Sequence, residues 1–128
     1  MTGRQDRSPI RPPGWPSGVR PPDAPDWQRS AVSWVLDLCP ADYRGHPVLL
    51  RHPTALVHLA AAHVDAQLAG LRQARAGART RLAGELGSPT LSELFEVLDI
   101  EEARLIAARR GVQLIDEALR GGRHVPRL

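Results

Sequence analysis

At 128 residues, 42% of them hydrophobic, the chain is the size of one domain and can bury a modest core without metal or cross-links. Its single Cys excludes an internal disulfide framework and points to a reducing compartment. The formal net charge is only +3 and all 17 basic residues are Arg, with no Lys and no Asn, a bias that reads as GC-rich coding, so a high pI alone does not imply a nucleic-acid partner.

No apolar run approaches the roughly 18 residues of a membrane span, and the start "MTGRQDRSPIRPPGW" lacks the apolar stretch of a signal peptide. The expectation is a cytoplasmic protein with no membrane partner. Seven of the twelve Pro residues fall in the first 25, in "RSPIRPPGWPSGVRPPDAP", where no helix can run and no strand alternation occurs. Residues 1–25 are therefore expected to form a Pro-rich, disordered tail, a solvated arm able to drape back through Trp15. "RPPGWP" also has the composition that polyproline-reading domains bind.

Order is expected from Asp26, a candidate N-cap, into "WQRSAVSWVLDL", which sets Trp27, Ala31, Trp34, Val35 and Leu38 on one helical face before Pro40 ends the helix. Two His-Pro steps follow, His46-Pro47 and His52-Pro53. Pro is tolerated at the first helical position, and the residue before it is held out of the α region. The first step predicts a single turn, "PVLLR", with Asp42 and Tyr43 turning the chain ahead of it. The second predicts a long helix from Pro53 to about Leu86. A last helix should start at Ser88-Pro89, or at Thr90 with Glu93 as a capping box, and end near Leu119 before Gly121-Gly122. Residues 26–121 thus make one three-helix domain, and 122–128 a basic C-terminal tail.

The two long helices carry matching heptad seams: Val57, Ala61, Val64, Leu68, Leu71, Arg75, Ala78 and Leu82 against Leu94, Leu98, Glu101, Leu105, Ala108, Val112, Ile115 and Leu119. Folding back at Ser88 pairs residues whose numbers add to 176, as an antiparallel coiled coil requires. This register sets the only polar seam residue of one helix, Arg75, opposite that of the other, Glu101. One flank, adding to 174, pairs Arg72 with Glu102, Asp65 with Arg109 and His58 with Asp116. The other sets Ala60 opposite Ala118 and Gln67 opposite Gly111, small enough to admit the Trp27/Trp34 face of the first helix. The fold class expected is all-α: a long antiparallel helical hairpin braced by a shorter N-terminal helix.

Three site chemistries find no support in the residue spacings. His58 and His63 lie about 140° apart around a helix, wrong for chelation, and Cys39, His46 and His52 lack a zinc spacing. Cys39 beside Asp42 and His46 lacks an oxyanion site and reads as a small hydrophobe. No Gly-rich phosphate loop follows a strand. The expectation is a non-enzymatic protein with no catalytic, cofactor or metal residues.

Leu86, Leu91, Phe95, Val97 and Ile100 lie beyond the reach of the first helix: either the N-terminal arm folds over them, or they form a patch for another protein or a second copy of the chain. The alternative is a nucleic-acid accessory role, with phosphate contacts from Arg79 and Arg81 near the hairpin tip and Arg123 and Arg127 in the tail. The segments "LDLCPADYRGHPVL", "RHPTAL" and "ARLIAARRGVQLIDEALRG" resemble a group of short, uncharacterised helical proteins of GC-rich actinobacteria. That resemblance implies a soluble bacterial protein and brings no activity, cofactor or site.

Overall fold

The computed structural model describes residues 11–121. Among them lie four α-helices, α1 (Trp27–Leu38), α2 (Pro47–Arg51), α3 (Pro53–Leu82) and α4 (Ser88–Leu119), one 3-10 turn (Ala41–Gly45) and no strand. Helices α3 and α4 form the antiparallel hairpin, and the fold is the all-α arrangement expected from the heptads.

The register is read from charge. Arg72 Nε donates to Glu102 Oε2 at 2.8 Å, and Arg109 reaches Asp65 at 3.5 Å, both on the flank adding to 174. Two further contacts extend that flank: Arg75 pairs with Asp99, and the Arg79 guanidinium lies 4.6 Å from the Phe95 ring centroid. Nine of the sixteen predicted seam residues, Val57, Val64, Leu68, Ala78, Leu98, Leu105, Ala108, Val112 and Ile115, are buried.

The Arg75–Glu101 seam pair is not formed. Arg75 leans out to Asp99, with Glu102 at 3.9 Å, while Glu101 is bound by Arg104 of its own helix at 2.7 Å. A guanidinium on a long stem reaches water from a seam position, and the flanking carboxylates receive it there at lower desolvation cost than the seam. His58 and Asp116 also form no pair, because Arg120 takes Asp116 at 2.9 Å.

The base of the hairpin carries the main core. Leu56, Val57, Ala60, Val112, Leu114 and Ile115 pack with Trp27, Ala31, Val35 and Leu36 of α1 and Leu49 of α2. Helix α1 lies on the flank predicted for it: a Cβ added at Gly111 would sit 2.8 Å from Trp34 Cη2. The disordered tail expected through residue 25 is corrected for residues 11–25, which form a strap over this base. Trp15 is 7% exposed and Val19 1%, so each of these burials contributes roughly 2 kcal/mol.

The strap is a chain of turns. Trp15 N bonds Pro12 O at 2.9 Å, with Pro13 and Gly14 (φ +90°) at the two central positions, the type II pattern. Similar bonds run from Val19 N to Pro16 O, Ala24 N to Pro21 O and Trp27 N to Ala24 O. Pro fixes φ at the inner positions of three of the four turns, which lowers the entropy lost on ordering the segment. Trp15 Nε1 donates to the carbonyls of Val19 and Arg20, each at 3.1 Å, and the Trp15 ring meets Trp27 at 5.7 Å between centroids.

Caps and ends differ from expectation in three places. Asp26 makes no side-chain cap and pairs with Arg20 at 3.2 Å, since the Ala24 carbonyl already accepts from Trp27 N. Helix α4 begins at Ser88-Pro89, the first of the two starts expected, but behind Gly87 with no side-chain cap, and the alternative Thr90/Glu93 box does not form. Helix α3 stops at Leu82, short of the expected Leu86, in a turn closed by Glu85 N and Leu86 N on Leu82 O, both at 2.9 Å. The two His-Pro steps act as predicted, with Pro47 and Pro53 opening α2 and α3.

Candidate interaction surface

Helix α4 carries a second apolar stripe beside its seam. Val97, Ile100, Ala107, Gly111, Leu114 and Ala118, interrupted by Arg104, recur at spacings of three and four and so share one face. The C-terminal half of that stripe is covered. Gly111 and Leu114 are buried, and Pro16 Cγ stands 2.8 Å from where a Gly111 Cβ would be. The N-terminal half is open, with Val97 52% and Ile100 65% exposed. The cover ends at a depression of about 570 Å³ bounded by Pro16, Trp34, Leu38, Arg104 and Ala107.

On α3, the neighbouring face past the end of α1 is lined by Gly70, Ala74, Gly77, Ala78 and Arg81, which form a shallow trough. The small residues among them leave the α3 backbone near the surface. The other exposed large hydrophobics, Val48, Leu50, Leu59 and Ile106, stand on α2 or on faces of α3 and α4 outside this stripe. Scattered apolar residues of that kind are ordinary on a protein surface.

The five residues expected to form one patch are divided. Leu91 is buried in the hairpin, Leu86 is half-buried in the turn, and Phe95 is half-buried on the charged flank beneath Arg75 and Arg79. Only Val97 and Ile100 remain together on an open face. Of the residues considered for phosphate contacts, Arg79 is stacked on Phe95, Arg81 is exposed at the rim of the α3 trough, and Arg123 and Arg127 lie outside the described residues. Position within the heptad could have separated Phe95 from Val97: the first shares a stripe with Glu102, the second with Gly111.

The opposite flank holds a groove of about 470 Å³ at the base, lined by Val57, His58, Asp65, Arg109, Asp116 and Arg120 among others. Its acids are already bound by the Arg residues beside them. Elsewhere, burial pushes the Cys39 thiol pKa up, against the smaller lowering effect of Arg44, so the sulfur stays protonated near neutral pH and is a weak nucleophile. His63 packs near Tyr43, ring centroids 6.5 Å apart. Among the described residues no group of three or more His, Cys, Asp or Glu converges in a metal-holding arrangement, and no helix is long and apolar enough to cross a membrane.

Comparison with known protein families, with curated proteins and with solved structures returned no match.

Proposed function

We propose that this protein is a small non-enzymatic interaction module that binds another protein through the distal half of its helical hairpin. The observation that carries this reading is the interrupted stripe on α4: one apolar face, covered where the strap and α1 lie on it and bare at Val97 and Ile100. Burying two such side chains contributes roughly 1.5–3 kcal/mol each when a partner excludes water from them. The small residues of the α3 trough let that partner approach closely. The surface comprises Val97, Ile100 and the trough, whereas Leu91 and Phe95 belong to the hairpin itself.

The test is Ile100→Asp in the full chain, followed by circular dichroism, solution mass and affinity capture from the native host. Helicity is expected to stay at the wild-type level while association is lost. Association unchanged by Ile100→Asp, with either a second copy or a captured protein, contradicts the reading.

A further inference from the structure

We propose that the open half of the α4 stripe joins two copies of this chain, packed antiparallel about a two-fold axis passing between Val97 and Ile100. This rests on the distal face being an interaction surface and names its occupant.

A two-fold contact is self-complementary: whatever residue i meets, its counterpart meets i in return. The distal stripe reads Thr90, Glu93, Val97, Ile100, Arg104, Ala107, at alternating spacings of three and four. Turned about an axis midway between Val97 and Ile100, it falls on itself. Val97 meets Ile100 of the second copy, Glu93 meets Arg104, and Thr90 meets Ala107. The centre is apolar and each end is a carboxylate facing a guanidinium, the arrangement of a dry core with a charged rim.

Both charges are available. Glu93 is exposed and forms no ion pair among the described residues, a consequence of α4 starting at Ser88 and no capping box forming. Arg104 gives Nε and one terminal nitrogen to Glu101, at 3.0 and 2.7 Å, leaving its other terminal nitrogen for a second carboxylate. Arg guanidinium groups commonly serve two acceptors in this way.

The ends also fit. In this register Ser88, the first residue of α4, stands opposite Arg109 of the second copy, two residues short of Gly111, where Pro16 and Trp34 cover the helix. The overlap is about 32 Å long at roughly 1.5 Å per residue, spans the bare part of each α4 and stops short of Gly111. At each end the hairpin tip of the other copy meets the edge of the strap, at the depression that strap residues 14–17 form with Trp34, Arg104 and Ala107.

Solution mass across a concentration series on the full chain, with charge-reversal variants, tests this. Wild type is expected to pass from 14.0 kDa to twice that mass in the micromolar range. Glu93→Arg alone and Arg104→Glu alone each set like charges together at both ends, and each is expected to weaken the dimer by about tenfold or more. An equimolar mixture of the two single variants restores both opposite-charge contacts and is expected to give a heterodimer, as is the doubly reversed chain a homodimer.

A monomeric wild type, or a dimer indifferent to the single reversals, overturns the proposal. If wild type is monomeric and Ile100→Asp still abolishes capture of another protein, the second copy is the wrong occupant while the distal face remains the interaction surface. If association survives both Ile100→Asp and the reversals, the surface itself is wrong. A dimer that appears only after residues 2–10 are removed also overturns the proposal for the full chain, assigning the face to the chain's own N-terminal segment.

Discussion

The base and the distal half of the hairpin are built on the same two helices with the same register, yet they are stabilised differently. At the base, Leu56, Ala60, Ile115 and Val112 are sealed by two further layers, α1 and the Pro-rich strap, and the core there is three elements thick. Beyond Leu105 the seam is the only core. Its flank is held by Arg72, Arg75 and Arg79 reaching Glu102, Asp99 and Phe95, and its outer face is bare. Small residues decide where the change occurs. Gly111 admits Pro16 and Trp34 against the helix, whereas at Arg104, one heptad earlier on the same stripe, a long charged side chain stands in their way.

The largest effect that would break this contrast comes from stripping the cover. Trp15→Ala removes a ring packed on Trp27 together with the indole bond that closes the strap, and should cost about 3 kcal/mol in urea unfolding. Proteolytic cleavage should then appear in residues 11–25 with α3 and α4 still helical. Next comes Gly111→Ala. Its methyl would collide with Pro16 and Trp34, and overpacking of about 1–3 kcal/mol exceeds the helix-propensity gain of up to about 1 kcal/mol. A net loss of about 1–2 kcal/mol, with a change in Trp fluorescence, is expected.

Arg75→Gln acts on the distal half alone. The side chain is 31% exposed, so losing its pair with Asp99 should cost only about 0.5 kcal/mol at low salt and less at high salt. Amide exchange should quicken near the tip and not at the base. Ile100→Asp should have the smallest effect on folding, within about 0.5 kcal/mol of wild type, because the residue is already in water. Its consequence is confined to association, which makes it the sharpest probe of the bare half.

The hairpin was legible in the sequence because a seam repeats: eight positions on each helix and the Arg72/Glu102 and Asp65/Arg109 pairs all agree on one register, so one misread residue changes little. The acceptor of Arg75 was not legible, because register fixes the level of a side chain and a long guanidinium chooses its acceptor within a sphere around that level. The strap escaped the reading for another reason. "RPPGWPSGVRPPDAP" has neither helical nor strand period; its order comes from turns, and Pro13-Gly14 is a turn signature that the Pro content masked. Leu36, buried in the base core, lies off the face assigned to α1. The open stripe could have been found by asking which apolar residues of α4 belong to neither the seam nor the charged flank.

Hydrogen–deuterium exchange across α4 at low and high protein concentration separates a shared distal face from a solvated one. Amides from about Glu93 to Ala107 are expected to gain protection as concentration rises, while those from Gly111 to Leu119, already covered by α1 and the strap, stay equally protected throughout. Exchange independent of concentration along the whole helix, or a gain confined to the Asp116–Arg120 end, would contradict a shared distal face.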